Sequence, residues 1–361
     1  MKSVSSPLIQ AQHLTGAGEA RLLIAISFHF VKGRLVYLDK VVQTLASFPV
    51  RRRDLVVFTN TVEMAEQESI RDIFRKAGLV DGRDARLSVE TALAHPYNLT
   101  WAHKRLISGD FLAPDSPYSH FIYLEDDEQL TFENFAYFLA GRDILRPFGN
   151  LVPAYLRMEW CDKLACAMNN DNIAPILLAG RPFISHGEYA FVTADNPYCG
   201  GFILDQELAR EYIQTRSFDL KRSRAVSTEA GWFGVRERSA MGLTFENPPA
   251  PFAYRVVVPV AIASRVAPSC AWLAHLPNNY ANDPSHHLGK VAMTDLFASN
   301  FNAEKEVALP AFNSTGQKWF RFHHRLGNHF RMLGRGLLIG TMDSLRRVKR
   351  MILGPRKPGQ A

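Results

Sequence analysis

Apolar residues fall first in a near-continuous run over residues 21–30, then at helical spacing: Leu35, Leu38, Val42 and Leu45. The run predicts a buried strand and the spaced set a helix. The alternation repeats. Residues 54–60 predict a second strand. Residues 62–77 predict a helix that stops at Gly78. Residues 85–91 predict a third strand, and residues 99–109 a helix. A fourth strand follows at His120 to Leu124. Strands alternating with helices imply a mostly parallel sheet with helices on its faces. Ligands in such sheets sit beyond the carboxyl ends of the strands.

The second half is less regular. Residues 132–145 predict a helix and residues 151–159 a strand, while residues 161–184 carry no clear period. Asn196, Pro197, Gly200 and Gly201 then form a turn that leads into an apolar run, with helical character over residues 205–215. Paired glycines allow close approach of the backbone to a ligand or to another strand. No internal repeat is visible.

Composition narrows the class. The chain has 361 residues, 47% hydrophobic and 21% charged, enough for a sizeable core in one large domain or two smaller ones. No apolar run reaches membrane-spanning length, and residues 1–20 lack the apolar centre of a signal peptide, so the expected compartment is the cytoplasm. Residues 1–20 read as a flexible lead. The four cysteines form no close pair and read as reduced thiols rather than a zinc site. Charge is unevenly placed. From Lys318 onward, eleven Lys or Arg face one acid, Asp343, so the +7 of the chain is a +10 tail on a −3 body. Phe322, Leu326, Phe330, Leu333, Leu337, Leu345, Val348 and Ile352 run through that tail mostly at three- and four-residue steps, with only Thr341 breaking the row. The pattern is a basic amphipathic helix, or two, suited to an anionic membrane surface. A helix laid on the body with its basic face in water is the alternative. A nucleic-acid partner is disfavoured, because the basic residues accompany an aliphatic stripe rather than a stacking surface.

The fourth strand carries the chemistry. It runs into Glu125, Asp126, Asp127 and Glu128. Carboxylates buried without compensation are costly. An open strand end presenting acids to a hard cation, Mg²⁺ or Mn²⁺, accounts for them, since such ions take oxygen ligands and bridge carboxylates to phosphates. The plainer reading is an acidic loop whose Asp126 or Asp127 caps the helix starting near Thr131. Ser27, His29 and Asn60 also fall at predicted strand ends.

In this order of elements the chain resembles the GT-A class of nucleotide-sugar glycosyltransferases over residues 21–280. Glu125-Asp126-Asp127 stands in place of the class's D-x-D motif, followed by a Gly-rich lead into a strand, an acid before a helix and a late histidine. The resemblance implies a GT-A-like, Rossmann-like mostly parallel sheet flanked by helices. Residues 21–150 would bind the nucleotide-sugar, residues 151–310 the acceptor within the same domain, and residues 311–361 would be the basic amphipathic region. It implies Asp127 as ligand of Mn²⁺ or Mg²⁺, with His275 completing the metal site. Asp126 and Glu125 would touch the metal through water, or the donor ribose. Ser27, His29 and Asn60 would lie beside the nucleotide, and Arg105 beside the base or diphosphate. Glu229 would be the base that takes the acceptor proton in inverting members. Gly200, Gly201 and Trp232 would line the sugar or acceptor pocket. The implied partners are a nucleotide-sugar donor, a UDP-sugar favoured, and a glycan or lipid-linked acceptor at the inner face of a membrane.

Each residue also has a structural reading. Glu229 follows Ser227 and Thr228 and suits a helix first turn. His275 sits in an apolar segment and fits a core histidine, with His286 and His287 as rivals. Arg105 fits a solvated helix face, and Trp101 and Trp232 fit packing. Two other functions share this pattern. One is a sugar-nucleotide nucleotidyltransferase, although the turn after the first strand carries only Gly33 between Lys32 and Arg34. The other is a non-catalytic carbohydrate-binding or scaffold protein with the same fold.

Overall fold

In the computed structural model, which describes residues 6–149, 151–226 and 233–308, the apolar runs become a five-stranded sheet. Its order is β12-β4-β1-β2-β3, where β1 is Arg21–Phe28, β2 Arg52–Thr59, β3 Ala85–Val89, β4 His120–Glu125 and β12 Gly201–Asp205. The first four are parallel and β12 runs antiparallel to β4. All of β1 except Arg21 is buried, as expected for a central strand covered on both faces. Helices α2 (Leu35–Ala46) and α3 (Met64–Lys76) follow β1 and β2. Each buries one stripe, Leu38, Val41, Val42 and Leu45 in α2 and Gln67, Ile70, Ile73 and Phe74 in α3. The expected α/β fold, a Rossmann-like mostly parallel sheet flanked by helices, is therefore present. The predicted C-terminal basic helices lie outside the described residues.

Two expectations need correction. Residues 6–20 are not a loose lead. Helix α1 (Ala11–Gly18) buries His13 and Ala17, and Leu8 and Ile9 join the main core. Nor is the stretch before β4 one helix. It is a 3₁₀ turn over Pro96–Trp101, a single α turn, α4 (Lys104–Leu106), and a wider π turn over Ile107–Phe111. The break serves Lys104, whose ammonium sits among the rings of Trp101, Phe202, Tyr212 and Phe218. Tertiary packing overrides local helix propensity there.

The remaining strands bring distant residues to the end of β4. Strand β5 (Glu128–Gln129) pairs antiparallel with β14 (Trp272–His275), which places His275 opposite Glu128. Strand β14 in turn runs parallel to β7 (Leu156–Cys161), the first arm of a hairpin with β8 (Cys166–Asn169). A second sheet orders β10-β11-β13-β6, from β6 (Val152–Pro153), β10 (Phe183–His186), β11 (Tyr189–Val192) and β13 (Val256–Ala261). The short pair β9 (Ile176–Leu177) and Phe297–Ala298 lies apart. Helix α5 (Phe132–Leu145) anchors the arrangement. Thr131 and Asn134 cap its start reciprocally, Asn134 N–H to Thr131 Oγ1 at 3.2 Å and Thr131 N–H to Asn134 Oδ1 at 2.7 Å. The Asn134 amide also donates to the carbonyls of Cys270 and Trp272, at 2.7 and 2.9 Å. One cap thus fixes both the helix and the start of β14.

The glycine pair is explained by this packing. Gly200 has φ +68°, and a Cβ there would stand 2.6 Å from Glu128 Cγ. A Cβ on Gly201 would stand 2.5 Å from the Tyr123 carbonyl of β4. Only glycine allows the left-handed turn and the close strand approach together. Gly200→Ala should therefore cost about 1–3 kcal/mol from backbone strain alone, with the clash added. Thermal unfolding should show a melting point several degrees lower, and an unchanged one would contradict this account.

Acid stability follows from His120 at the start of β4. Its ring lies edge-on to Phe135 and Phe138. Burial pushes its pKa down to about 4, helped by the charge of Arg142 and opposed by that of Asp205. The unfolded chain binds this proton near pH 6.5. Stability is full above that value and is lost as pH falls from about 6.5 to about 4, by up to about 3 kcal/mol. His120→Gln should flatten this part of the pH–stability curve, read from urea midpoints. An acid limb identical to that of the wild type would remove His120 as its cause.

Candidate metal and nucleotide site

Four acids in a row leave the sheet at the end of β4, and the structure gives each a side-chain partner, with Arg34 shared by two. Glu125 Oε1 accepts from the Tyr198 hydroxyl at 2.6 Å, and its N–H donates to the Gly200 carbonyl at 2.9 Å. Asp126 takes a two-pronged bond from Arg34, Nε to Oδ2 at 2.9 Å and Nη2 to Oδ1 at 2.8 Å. The same Nη2 reaches Asp127 Oδ2 at 2.8 Å. Asp127 Oδ2 also lies 3.4 Å from His275 Nε2. Glu128 Oε1 accepts from Arg157 Nη1 at 2.9 Å. Arg157 is itself held by Asp171 through Nε and Nη2, with the closest approach 2.6 Å, and lies over the Tyr198 ring.

His275 is oriented from behind. Its Nδ1 is 2.5 Å from Glu159 Oε1, and Glu159 Oε2 accepts from the N–H groups of Tyr280 and Ala281 at 2.8 and 2.7 Å. The histidine thus presents Nε2 to the acids. A carboxylate on the far nitrogen is the usual means of fixing a metal-ligating imidazole. His275 also begins a row of stacked rings through Tyr280, His286 and His287, with centroids 5.2, 4.5 and 5.0 Å apart.

The four acids are all buried, yet they titrate apart. Burial pushes the Asp126 carboxyl up to about 7, against the Arg34 hydrogen bond and with the Asp127 charge adding to the rise. Burial also pushes Asp127 up, but the hydrogen bond and charge of His275, with the charges of Arg34 and Arg157, reverse that and hold it at about 2. Glu125 is raised by burial and by the Asp127 charge. Glu128 is raised well above its ordinary value by burial, despite Arg157 and His275. Burial lowers His275, but hydrogen bonds to Asp127 and Glu159 and the charge of Glu128 lift it to about 9.

A divalent cation fits these residues on one observation. Asp127 Oδ1 and Glu128 Oε2 are buried and have no hydrogen-bond partner among the described residues. Ligand atoms of Asp127, Glu128 and His275 all lie within 4.8 Å of one another. Two carboxylate oxygens and one imidazole nitrogen suit a hard or borderline ion such as Mn²⁺ or Mg²⁺.

The other predicted residues distribute as follows. Ser27 is buried at the end of β1, opposite Glu125 in register. His29 lies just beyond that end and is exposed. Asn60 accepts the Phe30 N–H on its side-chain oxygen at 2.9 Å and so holds the chain leaving β1. Arg105 binds Glu90 and Ser88 at the end of β3 and lies over the Phe58 ring. Gly200 faces Glu128, and Gly201 faces β4. Glu229 and Trp232 lie outside the described residues.

Sequence reasoning missed Arg34, Arg157, Glu159 and Tyr198, and gave Glu128 no role. A signal existed for two of them. Arg157 and Glu159 are charges two apart within a strand, hence on one face, and both are buried. Arg34 and Tyr198 carried none, nor did the Asp171 that holds Arg157, because each meets its partner 14 or more positions away along the chain.

No protein-family model matches this chain, and no curated protein matches it. Among solved structures it is similar to the mannosyltransferase PcManGT from Pyrobaculum calidifontis, in complex with GDP-Man and Mn²⁺. The identity is 12% and the TM-score 0.22, over 34% of this chain and 32% of that one. The chain therefore spans about a third of that protein's length, and a likeness this partial says nothing of what the chain binds.

Proposed function

We propose that the protein is a metal-dependent glycosyltransferase. It would move a sugar from a nucleotide-sugar to a hydroxyl of a glycan or lipid-linked acceptor. The observation that carries this reading is the pair of unpartnered carboxylate oxygens, on Asp127 and Glu128, beside His275 at the carboxyl end of a parallel sheet. That is where such sheets bind nucleotides.

In this reading Asp127, Glu128 and His275 hold the ion. Bound there, it would supply positive charge against a departing diphosphate. Glu159 keeps the His275 ring turned toward the ion. Ser27, His29 and Asn60 border the nucleotide at neighbouring strand ends, with Arg105 at the end of β3. The acceptor hydroxyl attacks the anomeric carbon as the nucleoside diphosphate leaves. Glu229 is proposed to take its proton as general base, with Gly200, Gly201 and Trp232 near the sugar. Residues 21–150 form the donor half and residues 151–310 the acceptor half. A UDP-sugar is the favoured donor. The basic segment 311–361 is proposed to hold the enzyme on the cytoplasmic face of an anionic membrane. Among the described residues no helix is long and apolar enough to cross one.

The first test is thermal stability with UDP, GDP, CMP or ADP, each with and without Mn²⁺, for wild type and Asp127→Asn. Ligand at about 100 times its Kd adds roughly 2.7 kcal/mol to stability. One nucleotide should raise the melting temperature only with metal, and Asp127→Asn should abolish the rise. If no nucleotide acts with or without Mn²⁺, the acids are structural and the scaffold reading replaces this one.

Arg34 gives a second test. Its guanidinium spans Asp126 and Asp127 and competes for the charge a cation would meet. Arg34→Ala should tighten Mn²⁺ binding by about tenfold, or 1.4 kcal/mol, measured by calorimetry without nucleotide. Unchanged or weaker binding would mean that Arg34 builds the turn rather than balancing its charge.

A further inference from the structure

We infer a second binding site, for a phosphate or diphosphate group, at the amino-terminal edge of the main sheet. A cavity of 460 Å³ opens there, and its lining includes Arg51, Arg52, Arg53 and Arg83 with Asp54 and Asp84. Four cations and two acids leave the cavity with a charge of +2. The acids are already committed. Asp54 receives Arg52 Nε and Nη2, at 3.1 and 2.7 Å, and the Tyr118 hydroxyl. Asp84 receives Arg83 Nε and Nη2, at 3.0 and 2.9 Å, and the Val80 N–H at 3.0 Å.

Arg51 and Arg53 are left with spare donors. Among the described residues Arg51 meets only Glu19, at 3.6 Å, with both side chains about two-thirds exposed (66% and 70%), a contact of little energetic weight. Arg53 donates Nη1 to the Phe48 carbonyl at 2.8 Å, while its Nε is buried without a partner among the described residues. That Nε is closed to the cavity, but Arg51 is exposed and Arg53 only half-buried, so an anion there would meet their outer nitrogens. Guanidinium groups present paired donors that match phosphate oxygens.

The chemistry of the lining limits the ligand. The cavity's named residues include no aromatic ring, so nothing there stacks on a base. The site reads the phosphate itself, whether free or carried on a lipid headgroup. It is also separate from the acidic turn. Strand β2 begins at Arg52 and ends at Thr59, so the two ends of the sheet lie roughly 20 Å apart. The inference therefore stands whether or not the acids bind a metal.

The test uses the full chain in EDTA, which silences any metal site. Pyrophosphate binding is measured by calorimetry for wild type, Arg51→Gln and the double variant Arg51→Gln/Arg53→Gln. Circular dichroism checks that each is folded, and the exposed Arg51 variant alone suffices if the double one is not. Co-sedimentation with phosphatidylcholine vesicles, with and without phosphatidic acid, forms the second arm. At least tenfold weaker pyrophosphate binding in the variants supports the site and a free-phosphate ligand. Reduced capture by phosphatidic acid vesicles, without measurable pyrophosphate binding, supports the site and a headgroup. If wild type and variants behave alike in both arms, the inference is wrong and the arginines are a solvated edge.

Discussion

Burying four consecutive carboxylates is the constraint around which this molecule is arranged. Charges taken out of water need partners, and a lost partner costs far more than a surface contact. Glu125, Asp126, Asp127 and Glu128 draw theirs from four places: Tyr198, Arg34 after β1, Arg157 on β7 and His275 on β14. The turn is therefore a joint as well as a site. Compensation is incomplete at Asp127 Oδ1 and Glu128 Oε2, and an incomplete joint is where a cation belongs.

The supports of that joint have supports of their own. Asp171 holds Arg157, Glu159 holds His275, and the N–H groups of Tyr280 and Ala281 hold Glu159. Asn134 ties the start of β14 to the cap of α5. Such layering fixes side-chain geometry before any ligand arrives. It also spreads the titration. Neighbouring acids at about 7 and about 2 differ because burial, with the Asp127 charge, outweighs Arg34 at Asp126, while the hydrogen bond and charge of His275 outweigh burial at Asp127.

The sheet is polarised end to end. Its carboxyl edge gathers acids around Asp127, and its amino edge gathers arginines at Arg51, Arg52, Arg53 and Arg83. Both follow from strand direction. Parallel strands place all their starts on one side and all their ends on the other. Charges clustered before β2 and after β4 thus end on opposite faces of the molecule.

Much of the first half was legible because its signals are local. A continuous apolar run such as residues 21–28 can be buried only as a core element, and α2 announces itself through Leu38, Val42 and Leu45. Helix α5 spans Phe132–Leu145 as its pattern predicts, but Thr131, not Asp126 or Asp127, caps it. The acids after β4, and His275 as a candidate beside them, were also readable. What the sequence could not decide was partnership. The turn series over residues 96–111 is set by Lys104 reaching rings on distant elements. The packing of residues 6–20 is set by a helix surface far along the chain. Arg34, Arg157 and Glu159 acquire meaning only when β1, β7 and β14 converge. By itself the sequence determined periodicity, strand order along the chain and the place of the acids, since those depend on neighbours within a few residues. Tertiary structure alone decided which cation meets which acid, because charge compensation acts through space between residues that the chain holds far apart.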